Sequence, residues 1–301
     1  GRFSSQNPNA QNMPRHEWIR NSFRGAPGTK IITSDYSQIE MRILADLSQD
    51  KNFLEALFAD RDLHAHTAAL MHKLDYEEYV RLKKKVEAAE AGQGEELTAE
   101  EKKAWQQWKK LRSAAKAINF GLVYGLGASG LAKQLDITVE EANELIEKYF
   151  ANYPSVRDWL EKQAKAATTF HRRGDYSYTL TPLGRRRYFR LPSNSLKHSN
   201  PKLYRSLMSS IERMGKNAPI QGASADITKL ALIELSRRLE AYPGAAIVST
   251  VHDEIVVECP EQLVDEVKRV VQESMEDAAR RVMKVAPVKA ETAVADFWTK
   301  D

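Results

Sequence analysis

Three short segments carry the residues best suited to chemistry: Asp35-Tyr-Ser-Gln-Ile-Glu40, Lys116-Ala-Ile-Asn-Phe-Gly-Leu-Val-Tyr-Gly125 and Val251-His-Asp-Glu254. The first and last set carboxylates beside apolar, β-prone runs. The middle one sets a cation and two aromatic rings at helical spacing. Paired divalent ions activate an attacking hydroxyl and stabilise a leaving pyrophosphate in an in-line displacement. Magnesium asks for hard oxygen donors and usually takes only one or two protein carboxylates, with phosphates and water completing its shell. Asp35 and Asp253, each adjoining a strand from a different part of the chain, suit such a pair, with Glu254 a weaker or outer participant. An aspartate at a strand end is more often a turn residue or a helix cap, so neither segment decides the matter alone.

The helical segment adds to them. Residues four apart on a helix lie nearly on one face, drifting by about 40° per step. Arg112, Lys116, Phe120 and Tyr124 therefore form one stripe of two cations followed by two rings. Arg112 and Lys116 would grip a triphosphate, Phe120 would lie against sugar and base, and Tyr124 would approach a templating base. Ile118, Leu122 and Val123 point elsewhere and read as core. Gly125-Leu-Gly-Ala-Ser-Gly130 matches G-x-G-x-x-G, but a helix precedes it where a dinucleotide site needs a strand. It reads as a helix stop and a loop.

The elements that must position these groups follow from periodicity. Residues 29–34 form a buried strand that delivers Asp35, and Ile39, Ile43, Leu44 and Leu47 continue with helical spacing. Residues 245–258 are rich in β-branched side chains and form the second strand unit. Between them, 75–111 reads as a charged helical hairpin with a flexible tip at Gly92-Gln-Gly94, its second arm opened by the capping box Thr98-Ala-Glu-Glu101. The hairpin shows no catalytic pattern, and 78–107 reads as dispensable. Further helices are expected over 112–124, 138–149, 154–167, 202–213, 224–240 and 263–282, and a β-hairpin over 176–190 around Thr181-Pro-Leu-Gly184. Residues 1–27 read as irregular. Strand, many helices, strands, helix is an α+β plan in which distant strands share one sheet.

At 301 residues the chain has room for two subdomains or one large domain. Its one cysteine, Cys259, forms no internal disulfide and points to a reducing, intracellular compartment, cytoplasmic by default. No apolar run of about 18 residues is present and the first residues lack the apolar stretch of a signal peptide, so no membrane partner is expected. The net charge of +4 decides little, but its distribution is uneven. Arg172, Arg173, Arg185, Arg186, Arg187, Arg190, Lys197, Lys202, Arg205, Arg213 and Lys216 share their stretch with only Asp175 and Glu212 as acids, which suits a phosphate-binding surface.

These residues resemble a known family, family A DNA polymerases of the bacterial DNA polymerase I group, over nearly the whole chain. Asp35-Tyr-Ser-Gln-Ile-Glu-Met-Arg42 resembles its motif A, Arg112-Ser-Ala-Ala-Lys116 through Gly125 its motif B on the fingers helix, and Val251-His-Asp-Glu254 its motif C. Gly1-Arg-Phe-Ser-Ser5 with Pro8-Asn-Ala-Gln-Asn12 is similar to an early palm segment. Arg213 with Asn217-Ala-Pro-Ile-Gln-Gly222 is similar to the helix that follows template and primer. The resemblance implies a right-hand α+β architecture. Its palm, an antiparallel sheet with helices, would be 1–45 and 213–301. Its mostly helical fingers would be 46–212, carrying the insertion at about 75–111, with the thumb absent from this chain.

By the same resemblance, Asp35, Tyr36 and Asp253 hold two Mg2+ ions, for which Mn2+ substitutes, and Glu254 and Lys116 complete the catalytic set. Gln38, Ile39, Glu40, His64 (in Asp62-Leu-His64), Arg112, Lys116, Phe120 and Tyr124 contact the dNTP, Glu40 blocking a 2′-hydroxyl. Arg2, Asn9, Gln11, Arg213, Asn217, Gln221 and His252 contact DNA near the primer end, Arg2 and Gln221 in the minor groove. The implied function is template-directed DNA synthesis by a two-metal mechanism, in a monomer whose partners are primer-template DNA, dNTPs and the remaining segments of a longer polymerase. The chain departs from the family pattern at 75–111 and around 193–205, which look extended, and after Met13-Pro-Arg15, which looks shortened. The alternatives are a non-catalytic primer-template-binding fragment lacking the thumb, a two-metal nuclease, and a single-subunit RNA polymerase. A nuclease has no use for the 112–124 stripe, and in an RNA polymerase a bulky acid at 40 would crowd the ribose hydroxyl.

Overall fold

Eight residues, Thr29–Tyr36, buried without a break from Ile31 to Ser34, form a strand that other strands flank on both sides, and around it the first half of the fold is built. The structure, a computed structural model, describes residues 1–7, 9–13, 16–170 and 176–299. Pro8, Pro14, Arg15, Arg172, Arg173 and Asp175 lie outside the described residues. The strands are β1 (Thr29–Tyr36), β2 (Tyr176–Leu180), β3 (Arg186–Arg190), β4 (Ala246–Val251), β5 (Glu254–Pro260) and β6 (Ala290–Ala295). The helices are α1 (Glu17–Arg20), α2 (Ile39–Ser48), α3 (Lys51–Phe58), α4 (Leu63–His72), α5 (Tyr76–Glu90), α6 (Ala99–Val123), α7 (Ala128–Leu135), α8 (Val139–Asn152), α9 (Pro154–Thr168), α10 (Asn194–Ser199), α11 (Pro201–Leu239) and α12 (Val264–Val282). Among the described residues no helix is long and apolar enough to cross a membrane.

The chain divides into two compact units: Gly1–Asp46, Thr179–Arg187 and Ala218–Asp301 form the first, Leu47–Tyr178 and Tyr188–Asn217 the second. In the first, an antiparallel sheet runs in the order β4-β5-β1-β6. Tyr36 sends its hydroxyl to the Met275 carbonyl of α12 at 2.6 Å, and Ile31 packs with Val256 and Trp298. The chain reaches β6 through a clamp. One oxygen of Asp46 accepts the amides of Lys284, Val285 and Ala286, and Arg42 donates to the Pro287 carbonyl at 2.8 Å. The α+β class with an antiparallel sheet is thus what the residues build.

The second unit is mostly helical. Ala65, Ala68 and Ala69 of α4, Tyr79 and Leu82 of α5, and Trp108 and Ala115 of α6 form one buried cluster. Small residues on α4 let the longer helices lie close, while the rings fill the space between. Thr98 and Glu101 form the expected capping box at the start of α6, and Thr138 and Glu141 form another at α8.

Several local expectations change. The second hairpin arm and the helix expected over 112–124 are one 25-residue helix, α6, because no glycine or proline interrupts 99–120. The helices expected over 202–213 and 224–240 are likewise one, α11, with Pro219 inside it. Its Gly215 fits against Ala167 of α9, where an added Cβ would come within 2.3 Å. The segment read as a loop after Gly125 turns at once into α7, with Gly127 as its N-cap. Strand β6 carried no β-prone signal, and residues 1–27 contain a short turn of helix, α1.

Candidate active site

In the β1–β5 ladder Asp35 stands directly opposite Glu254, and in the β4–β5 ladder Val251 also pairs with Glu254. His252 and Asp253 are therefore a two-residue hairpin loop. Asp253 lies about one strand residue, ~3.4 Å of rise, beyond the Asp35–Glu254 pair. Asp253 also bears on Tyr36: burial first, then the Asp253 charge, pushes the Tyr36 phenol above its ordinary range. Two non-glycine residues beside these carboxylates take left-handed backbone, Gln38 at φ +51° and His252 at φ +58°. Such conformations cost on the order of 1 kcal/mol each and gather where function requires them.

Contacts hold the loop in place. Gln11 donates from Nε2 to the Thr250 carbonyl at 2.6 Å and accepts the His252 amide at 3.3 Å, so it ties the end of β4 to the first residue of the loop. Glu254 is buried. Its Oε1 accepts Trp298 Nε1 at 2.5 Å and its Oε2 faces Arg20 at 3.9 Å, while the Arg20 guanidinium lies over the Trp298 ring. Glu40 is also buried and pairs with Arg2, a partnership that the sequence left unread. Ile39 is buried, Gln38 and Asn9 are exposed, and Asn9 opens the turn at Ala10–Asn12.

The donors offered here suit a hard divalent cation: two aspartate carboxylates, half-buried, and the main-chain oxygen of Tyr36, whose phenol is committed to Met275. Among the described residues no group of three or more His, Cys, Asp or Glu gathers as a metal cluster.

The second unit holds the cationic stripe. On α6, Lys116 is exposed, Arg112 and Phe120 half-buried and Tyr124 exposed, with the Phe120 and Tyr124 rings stacked at 6.4 Å. His64, on the first turn of α4, lies 5.5 Å from the Phe120 ring, so the structure brings Arg112, His64 and Phe120 together. Asp62 organises them. It caps α4 by accepting the His64 and Ala65 amides, and it accepts Arg112 Nε at 2.8 Å and the Tyr79 hydroxyl at 3.1 Å. Burial works to raise the Asp62 carboxyl, but the Ala65 amide and Arg112 outweigh it and hold Asp62 below its ordinary range. Burial, then Arg112 and Lys116, with Asp62 opposing, lower the His64 ring to about 4.

Residues expected on DNA also meet this unit. Asn217 donates to the Val123 carbonyl at 3.3 Å and so finishes the end of α6. Gly125, at φ +71°, runs so close to Arg213 that a Cβ would come within 2.8 Å of its backbone. Gln221, further along α11, is half-buried in the first unit. Asp62, Asn119 and Tyr79 were not singled out from sequence. Only Asp62 had a signal there, an acidic cap before Leu63-His-Ala-His-Thr67.

The sheet with its paired carboxylates thus belongs to the first unit, and the helix with its cationic stripe to the second. A profile of DNA polymerase family A matches residues 1–87 and 96–300, and the chain belongs to that family. It is 35% identical over 302 residues to the thermostable DNA polymerase I of Thermus aquaticus, covering 99% of this chain and 31% of that protein. Against DNA polymerase I of Aquifex aeolicus it is 34% identical over 309 residues, covering all of this chain and 44% of that one. The POL domain of Pol1 from M. smegmatis, solved in complex with DNA primer-template and dNTP, superposes with a TM-score of 0.76 at 35% identity, over 99% of this chain and 46% of that one. The chain thus spans about a third to under half the length of these relatives.

Proposed function

We propose that the chain supplies the nucleotidyl-transfer centre of a DNA polymerase, adding a dNTP to a primer 3′-hydroxyl under the direction of a template. The reading is carried by the β1–β5 register. It sets Asp35 opposite Glu254 and so brings Asp253 to the same end of the sheet. The first unit would be the palm and the second the fingers.

Asp35, Asp253 and the Tyr36 carbonyl would hold two magnesium ions, or manganese in their place. When bound, these supply activation of the attacking hydroxyl and neutralisation of the pyrophosphate charge. Lys116 and Arg112 meet the triphosphate, Lys116 as a mobile point charge and Arg112 with its guanidinium fork aimed by Asp62. His64 meets the same phosphates, and Gln38 and Ile39 border the nucleotide. Phe120 and Tyr124 offer stacked faces to sugar and base. Glu40, fixed by Arg2, narrows the space beside the 2′-carbon. Glu254 acts by positioning, since Trp298 and Arg20 hold it beside Asp35. Arg213, Asn217, Gln221, Asn9, Gln11 and His252 line the path assigned to primer and template. The chain would work in an intracellular setting, as a monomer, together with further segments of a longer polymerase.

Primer extension by Asp253→Asn in the intact polymerase tests the reading. Extension should be abolished while primer-template affinity, spread over many phosphate contacts, changes little. Near wild-type turnover would remove Asp253 from the metal site.

A further inference from the structure

We propose that Asn119 is a positioning residue that holds His64 with its ring proton on Nε2, leaving that N–H as the one donor His64 offers to a triphosphate oxygen. The proposal deepens the reading of His64 given above and rests on it for the identity of the acceptor.

The argument is a chain of single protons inside the second unit. His64, Thr67 and Asn119 are buried to at least nine-tenths, so the Asn119 side-chain nitrogen, the Thr67 hydroxyl and His64 Nδ1 answer to each other, while the Asn119 side-chain oxygen has no partner among the described residues. The Thr67 hydroxyl has one proton, and it goes to the Leu63 carbonyl one helical turn back, at 2.8 Å. Toward its other neighbours Thr67 can only accept. Tyr153 lies 3.0 Å from it and donates. The Asn119 group 3.2 Å away must then be the amide NH2. That nitrogen has two protons. One serves Thr67 and the other points at His64 Nδ1, 3.0 Å away. A ring nitrogen that receives a proton cannot carry one, so the neutral imidazole is protonated on Nε2. Turning the amide over would demand two protons of the Thr67 hydroxyl and leave the NH2 without an acceptor.

The surroundings keep the ring neutral. The charged groups around it are Asp62 at the cap of α4 and Arg112 and Lys116 on α6; burial and the two cations outweigh Asp62. A neutral ring offers a phosphate one N–H, from whichever nitrogen holds the proton. With Phe120 against the ring at 5.5 Å, its orientation is fixed as well as its tautomer.

The test begins with the wild-type protein. In a two-bond 1H–15N correlation spectrum of histidine-labelled protein, His64, assigned by its loss in His64→Gln, should show the proton on Nε2 from about pH 5.5 to 8.5. A proton on Nδ1, or an exchanging mixture, would overturn the proposal. Asn119→Asp places an acceptor opposite Nδ1 and should shift the proton to Nδ1 or charge the ring; an unchanged spectrum in that variant would also overturn it. Kinetics supply the second arm. Asn119→Leu should raise KM for dATP by about tenfold, and in a His64→Ala background it should add nothing. Additive losses would mark Asn119 as structural only and overturn the positioning role. If His64→Ala alone leaves KM for dATP unchanged, the triphosphate half of the proposal falls, while the spectrum still judges the tautomer.

Discussion

Tyr79 and Arg112 meet on one atom: the Tyr79 hydroxyl and Arg112 Nε both donate to Asp62 Oδ2, at 3.1 and 2.8 Å. The Tyr79 ring also packs on Trp105 and Trp108. The base of the charged hairpin therefore takes part in aiming a proposed triphosphate ligand, and only its tip is free of such duty. Tyr79→Phe should raise KM for dNTPs by roughly two- to tenfold, the worth of one hydrogen bond to a carboxylate, with DNA affinity unchanged. Replacing 88–95, which the family profile skips, with a short Gly-Ser link should leave single-nucleotide insertion intact. Excising 78–107 should cost both activity and stability, because it removes Tyr79, Leu82, Trp105 and Trp108 from the buried cluster. Wild-type kinetics after the larger excision would show that α5 does no positioning.

Lys116 lies exposed on the same helix, four residues beyond Arg112. A point charge on triphosphate oxygens acts on binding and on the charge developing at the leaving group. Lys116→Ala should therefore raise the apparent KM for dNTPs and lower kcat together, with primer-template affinity held. Steady-state kinetics and a DNA titration check it, and a loss confined to DNA binding would take α6 away from the nucleotide.

Glu40 and Phe120 should govern different sugar positions. Glu40→Ala removes the buried acid and should increase the ratio of rNTP to dNTP kcat/KM on the order of tenfold or more. Glu40→Gln keeps the bulk but loses the ion pair with Arg2, so its shift should be smaller. Phe120→Tyr should ease dideoxynucleotide use, since a phenol can replace the absent 3′-hydroxyl as hydrogen-bond partner. An unchanged rNTP ratio in Glu40→Ala would reopen RNA synthesis as the activity.

His64 also sets a pH response in stability. Its folded value of about 4 lies below the usual 6.5, so between these values the unfolded chain binds more protons. Stability should fall as acid is added through that window and, for this group, change no further below about pH 4. Urea unfolding at pH 7 and pH 4.5 should differ by on the order of 2 kcal/mol less in His64→Gln than in the wild type. Equal differences would mean that His64 is not held neutral.

The elements that carry the proposed chemistry were the legible part of this chain. Asp35, Lys116 and Asp253 declare themselves by type beside clear strand and helix patterns, and the capping boxes at Thr98 and Thr138 mark two helix starts to the residue. What stayed hidden depends on tertiary partners. Ala290–Ala295 has no apolar alternation, and it becomes a strand because Asp46 and Arg42 deliver it to the edge of β1. Gly215, Pro219 and Gly222 punctuate α11 in sequence, yet Gly215 and Gly222 answer to close neighbours, Ala167 and Thr181. Asn119 looked like one polar residue in a helix, because its meaning lies in the packing of α4 on α6.

The two-residue loop at His252 and Asp253 makes the proposed metal site a matter of counting. Side chains alternate strictly along β5, and Asp35 is matched to it residue for residue from Thr29 onward. One residue added between Val256 and Glu254 would exchange inward and outward faces and carry Asp253 off the end of the sheet. One added within the loop would slacken the Gln11 clamp on Thr250 and His252. Length, more than composition, is what this corner of the molecule cannot vary, whereas the hairpin tip near Gly92 can lengthen or shrink without moving Asp35 along β1 or Asp253 within its loop.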